Sequence, residues 1–245
     1  LPDGYLDDLD DATPPGVAGL PPRIVGDATT GASGDFDGDG HDDLAVGAPF
    51  EDVAGERDAG AVNVLYGGVG GLGAANDQFW HQGSPGIRAA LEYDDRFGWS
   101  LAARDFNGDK YDDLAIGVPF ENLYIDAQGT VIFGRSAVPD WRQEAGAVVV
   151  LYGGPAGLST AKSKLLHQHK AGVKGKAQNH DWFGAALTAG DFDGDGRDDL
   201  AVGVPGENVT GAVQVFFGSA AGVSDRDQLW FQNSSGVDDE SERGD

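Results

Sequence analysis

The chain has 245 residues, enough for one large all-β domain or two smaller ones, and its 40% hydrophobic content can build a real core, which excludes disorder throughout. A formal charge of −25, from 41 acidic against 16 basic residues, argues against nucleic acid or an anionic membrane as partner, since both require a basic surface. Cysteine is absent, which removes disulfides and zinc-thiolate sites from consideration, and no apolar run approaches the roughly 20 residues needed to cross a membrane.

Methionine is absent even at position 1, so the chain is expected to be a processed product or a piece of a longer one. Residues 1–22, rich in proline and acid, read as an exposed tether. The first chemical signal follows at Asp35-Phe-Asp-Gly-Asp-Gly-His-Asp-Asp43, and it recurs as Asp105-Phe-Asn-Gly-Asp-Lys-Tyr-Asp-Asp113 and Asp191-Phe-Asp-Gly-Asp-Gly-Arg-Asp-Asp199. Fourteen of the 41 acids lie in these three loops. Side-chain oxygens at positions 1, 3, 5 and 9, with a backbone carbonyl at position 7, make an all-oxygen cage of the kind calcium prefers. The expected ligands are Asp35, Asp37, Asp39, His41 and Asp43 in the first loop, Asp105, Asn107, Asp109, Tyr111 and Asp113 in the second, and Asp191, Asp193, Asp195, Arg197 and Asp199 in the third, with His41, Tyr111 and Arg197 acting through their carbonyls. Three Ca2+ sites are expected.

An EF-hand would need a bidentate Glu at position 12 and flanking helices. Here position 12 is Val46, Ile116 or Val202, inside the short apolar runs that open at Leu44, Leu114 and Leu200 and are bounded by Gly and Pro, as buried strands are. Each loop therefore joins strand to strand. A second set of strands is predicted between Gly60 and Gly67, Gly146 and Gly153, and Gly211 and Gly218. An outer, half-exposed strand is predicted over 78–82, 164–168 and 228–232, with Trp80 and Trp230 packing one face. Phe97-Gly98 and Phe183-Gly184 each stand eight residues before a loop and open an innermost strand; the first unit has Asp27-Ala28 there instead.

Loop spacings of 70 and 86 residues and four short strands per unit are the signature of a β-propeller built of four-stranded antiparallel blades, with about three blades present. Phe-Gly before the loop and Gly-Ala-Pro or Gly-Val-Pro after it resemble the FG-GAP repeats of integrin α-subunit propellers and bacterial surface proteins, over about residues 24–236. That resemblance implies a calcium loop between the first two strands of each blade, on one face of the ring. The blades are expected over 23–90, 91–176 and 177–236, with 237–245 beginning a further repeat or forming an acidic tail. Three blades cannot close a ring, so a homo-oligomer or a further propeller segment is expected.

Two departures stand out. In the second loop Asn107 and Lys110 replace Asp and Gly, which weakens the site and puts a lysine in a left-handed turn. Between Gly117 and Gly146 the chain takes 29 residues where the other units take 13 and 8; this insertion, residues 120–145, contains a hairpin expected around Gln128-Gly129 and serves either recognition or bracing. Arg243-Gly244-Asp245 fills the spacer before a missing Phe-Gly and is read as compositional. No nucleophile elbow or paired-histidine metal motif occurs, so no enzyme is expected. The reading is an extracellular or cell-surface calcium-binding module for adhesion, protein interaction or assembly, with a protein or glycan ligand. Two alternatives are a propeller that binds or degrades polysaccharide, using Trp99, Trp182 or the insertion, and a self-assembling structural subunit.

Overall fold

A computed structural model of the chain describes residues 30–126, 130–132 and 140–237. It is all-β, with one 3-10 turn, Glu207–Val209, as the sole helical element among the described residues. The first sheet runs β1 (Gly31–Gly34), β2 (Asp43–Ala48), β3 (Ala61–Tyr66) and β4 (Gly73–Trp80), each antiparallel to the next. The second unit supplies β5 (Leu101–Arg104) and β6 (Asp113–Val118), then an insertion of β7 (Leu123–Ile125), β8 (Val131–Ile132) and β9 (Asp140–Arg142), then β10 (Ala147–Tyr152) and β11 (Ser159–Leu166). Its blade has the order β5, β6, β10, β11 from inside to outside. The third blade is β12 (Ala186–Gly190), β13 (Asp199–Val204), β14 (Ala212–Phe216) and β15 (Asp227–Trp230).

The blades pack face to face. Phe36, Val62 and Val64 of the first bury against Leu114, Ile116 and Leu151 of the second. Phe106, Val148 and Val150 of the second bury in turn against Leu200, Val202 and Phe216 of the third. Consequently β6 and β10, covered on both faces, are buried at every residue and carry continuous apolar runs, whereas β2 alternates buried and half-buried positions. The innermost strands β1, β5 and β12 border a common cleft of about 450 Å3.

In the first two blades the glycine of Gly-x-Pro is required by the next blade's Phe-Gly. A Cβ on Gly47 would lie 2.1 Å from the Gly98 carbonyl oxygen, and one on Gly117 would lie 2.2 Å from that of Gly184. The same carbonyls accept hydrogen bonds from Thr30 Oγ1 at 2.9 Å and Ser100 Oγ at 2.6 Å, and the Phe97 and Phe183 amides donate back to Ala59 and Ala145.

One expectation changes. The outer strands begin earlier and end sooner than predicted: β4 and β11 start at Gly73 and Ser159, and β15 at Asp227. His81, His167 and Phe231 stand past the strand ends, because their carbonyls close tight turns with the amides of Ser84, Lys170 and Ser234. Gln82, Gln168 and Gln232 are therefore turn residues. The insertion hairpin is present, with Tyr124 opposite Ile132 and Ile125 opposite Val131, and β9 adds a third strand on the other side of β7. Its tip at Gln128-Gly129, the tether 1–22 and the tail 238–245, including Arg243-Gly244-Asp245, lie outside the described residues. Leu123, Ala145 and Ala177 bury together beneath the insertion, and Arg142 Nε donates to the Ala177 carbonyl at 3.1 Å, so the insertion also braces the approach to the third blade.

Candidate metal centres

Each acidic loop connects the first and second strands of its blade and is folded by its own carboxylates. The position 1 acids accept the position 6 amide: Gly40 to Asp35 at 2.9 Å, Lys110 to Asp105 at 2.8 Å and Gly196 to Asp191 at 3.0 Å. Position 3 accepts from position 5 in all three loops, and position 5 from position 7. These bonds curl the chain into a tight loop in each unit. Carboxylate oxygens of Asp35, Asp37 and Asp43 lie within 4.8 Å of one another, as do those of Asp191, Asp193 and Asp195. In the second loop no three acids meet that limit among the described residues, and Asn107 supplies an amide oxygen instead. The donor set is all oxygen and suits a hard cation at loops one and three.

Lys110 has φ of +76°, matching Gly40 at +87° and Gly196 at +88°, so the lysine occupies the left-handed conformation that the sequence predicts. In the third loop Arg226 ion-pairs with Asp193 and stacks on the Phe217 ring at 3.9 Å, placing a cation beside one expected ligand.

Position 9 has a second task that spacing did not reveal. Asp43, Asp113 and Asp199 are buried, and each accepts one amide from position 2 and another from the glycine that ends the third strand, for example Gly218 to Asp199 at 2.8 Å. Burial pushes the Asp43 and Asp113 carboxyls up, Asp113 to about 8, with Asp109 and Asp105 adding to the rise. Position 8 reaches across the junction: the Asp112 amide donates to the Asp35 carbonyl and its carboxylate accepts the Asp35 amide, both at 2.9 Å, while the Asp198 amide donates to Asp105. The loops thus clasp one another in series. The Asp-Asp pair closing every loop was the available signal.

The FG-GAP repeat family matches residues 28–65, 97–133 and 183–216. The chain carries three FG-GAP repeats. Integrin alpha-PS2 of Drosophila melanogaster is 34% identical over 178 residues, covering 70% of this chain and 11% of that protein. Phosphatidylinositol-glycan-specific phospholipase D of Rattus norvegicus is 32% identical over 190 residues, 76% of this chain and 20% of that protein. Integrin alpha pat-2 of Caenorhabditis elegans is 31% identical over 195 residues. The chain thus spans only 11% to 20% of the length of these relatives.

The FG-GAP junctions also hold a buried polar cluster that sequence reasoning missed. Gln82 Nε2 donates to Glu121, and Gln168 Nε2 donates to Glu207 at 2.7 Å, each amide crossing from the end of an outer strand to the segment after Gly-Val-Pro. Asp95 and Asp181, just before the Phe-Gly pairs, cap turns by accepting the amides of Glu92 and Gln178. Burial, then Glu92, raises Asp95 to about 8; burial also raises Glu121 well above the carboxylate range, with Asp95 and Glu92 adding, and it lifts Asp181 to about 6. The spacing from Gln to the pre-Phe-Gly Asp, repeated in both units, was the legible trace.

Residues weighed for catalysis or sugar binding are otherwise engaged. Trp99 packs edge-on against Phe50 and Phe120, and the Arg96 guanidinium lies over all three rings at 4.4 to 5.6 Å. Trp182 Nε1 donates to Glu144 at 2.9 Å, and His180 Nδ1 lies 3.1 Å from the same carboxylate, a partner from the insertion that repeat spacing concealed.

Proposed function

We propose that this chain is an extracellular calcium-binding β-propeller module for adhesion, protein interaction or assembly, and not an enzyme. In this reading residues 23–90, 91–176 and 177–236 are its blades, and Ca2+ is held by the side chains at positions 1, 3, 5 and 9 of each loop with the carbonyl at position 7. The observation that carries it is the convergence of Asp35, Asp37 and Asp43, and of Asp191, Asp193 and Asp195, each within 4.8 Å, in equivalent loops of two blades. Like charges held so close in one place favour a cation that offsets them. Bound there, the ion would fix the hairpin whose position 9 acid is tied to the next strand and, in the third loop, whose position 8 residue is tied to the neighbouring loop, so binding free energy becomes folding stability.

An extracellular location fits Asp-rich loops of modest affinity, which fill where calcium is abundant. No helix of the described residues is long and apolar enough to cross a membrane. The partner is a protein or glycan at the cell surface, or further propeller blades from a second copy or another segment. Similarity to the phospholipase D covers 20% of that protein and carries no reaction to this chain.

Thermal unfolding read beside sedimentation, with calcium and with excess chelator, tests the proposal. A calcium-dependent rise in Tm that Asp37→Ala and Asp193→Ala each reduce is expected. Melting unchanged by both substitutions would sink it.

A further inference from the structure

We propose that the cleft at the outer edge of the second blade binds an oxyanion, a carboxylate, sulfate or phosphate group on a ligand about the size of one sugar residue. The cleft has a volume of about 380 Å3. Lys164 comes from β11, His167, His169 and Lys170 from the turn that follows, Val131 from the insertion hairpin and Arg88 from the connection between the first two blades. A volume near 380 Å3 is at the small end of ligand sites, which run from about 300 to 1,000 Å3.

The charge of this surface is opposite to that of the molecule. In a chain of formal charge −25, three permanent cations and two histidines line one cleft, and among the described residues no carboxylate does. One acid stands close by: Asp225 of the third blade lies 2.8 Å from both Lys164 and Lys170. Two lysines against one aspartate leave a positive surplus, to which exposed Arg88 adds. Arg88 makes no ion pair or hydrogen bond among the described residues, so its guanidinium fork is open to a planar or tetrahedral oxyanion.

His167 points to the same occupant independently. The ring is 8% exposed, lines the cleft, and its Nδ1 has no hydrogen-bond partner. Burial, with His169 and Lys170 beside it, holds its pKa down to about 4, so at neutral pH it is an uncharged ring with one N–H to donate. An anion in the cleft would reverse part of that depression. Val131 and Leu165 give the apolar walls against which a carbon skeleton could rest. The insertion is the reason the cleft exists on this blade, since β8 forms one wall and the first and third units have no counterpart to it.

The test is NMR titration of the full chain in calcium-containing buffer with sodium sulfate and, separately, sodium glucuronate, with glucose as the uncharged control. Saturable shifts at His167, a raised His167 pKa in the bound state, and no response to glucose are expected. Saturation by sulfate alone assigns the site to inorganic or ester oxyanions, and saturation by glucuronate assigns it to a sugar carboxylate; both uphold the proposal. Arg88→Gln, at an exposed side chain without partners, should weaken binding about tenfold, as loss of one charge-assisted contact does, while Arg57→Gln on the first blade should leave it unchanged. Absence of saturable shifts with either anion, or equal affinity in Arg88→Gln, would overturn it.

Discussion

Phe106 and Phe192 occupy the same place in nearly identical loops, yet Phe106 is fully buried and Phe192 is 54% exposed. The third blade covers Phe106, whereas Phe192 belongs to no buried core cluster among the described residues. The inner strands follow suit: β5 is buried over its first three residues, β12 only partly. One motif therefore has two halves. Positions 1, 3 and 5 fold the loop upon itself whatever stands beside it. Positions 2 and 8 work only against a neighbouring blade, and position 9 ties the two halves together.

The largest expected effect separates those environments. Phe106→Ala should destabilise by about 3 to 5 kcal/mol through cavity formation, whereas Phe192→Ala should change stability by no more than about 0.5 kcal/mol, as exposed substitutions do. Urea unfolding midpoints check this. Equal losses would mean that Phe192 is covered in solution by a second copy, and sedimentation would then show an assembled species.

Next comes the division of labour within a loop. Asp113→Ala strands the buried amide of Phe106 and the part-buried amide of Gly153 and should cost about 2 to 4 kcal/mol, about 1 to 3 kcal/mol for the first and about 1 kcal/mol for the second, with calcium or with chelator. Asp109→Ala removes one exposed bond, from the Tyr111 amide, so it should lower Tm slightly in chelator and more when calcium is present, in both cases by less than Asp37→Ala or Asp193→Ala. A calcium-independent loss in Asp109→Ala equal to that in Asp113→Ala would erase the distinction.

Acid dependence distinguishes the junctions from the loops. Asp95 binds its proton more tightly folded, with a pKa of about 8, than unfolded, with a value of 3.8, and Glu121 is raised beside it. Between those values the native state holds more protons than the unfolded state, so this cluster contributes stability at low pH that is lost as pH rises toward about 8. Glu121→Gln keeps the hydrogen-bonding shape and removes the titratable carboxyl. In chelator, its Tm advantage over the unsubstituted chain should grow from pH 5 to pH 8; a constant or shrinking difference would contradict the assigned shifts.

Architecture was legible because repetition supplied an internal alignment: three loops, three Gly-x-Pro turns and strands between glycines fix blade number and strand order. Interactions between units were not. The Asp112 carboxylate meets the Asp35 amide across 77 positions of chain, and Gln82 meets Glu121 across 39, and such pairings follow from how blades stack, which no local pattern encodes. The outer strands were misplaced for a related reason. His81-Gln82 and His167-Gln168 continue an apolar run, but the turn carbonyls and the buried amide contact draw them out of the sheet.

The smallest effect is the most discriminating for the second loop. Lys110 pays for a left-handed backbone at φ of +76°, where Gly40 and Gly196 do not, and its ammonium adds positive charge beside the expected ligands. Lys110→Gly removes both burdens and Lys110→Ala only the charge. Relief of left-handed strain is worth about 1 kcal/mol, reduced by the greater freedom glycine gives the unfolded chain, so Lys110→Gly should gain a few tenths of a kcal/mol over Lys110→Ala in chelator, read from urea midpoints. Calcium affinity of the second loop, measured by calorimetry, should rise in both. A rise in both alike assigns the weakness of that loop to the lysine charge; a rise confined to Lys110→Gly assigns it to the backbone, because a loop already curled at position 6 no longer spends binding free energy on holding that turn.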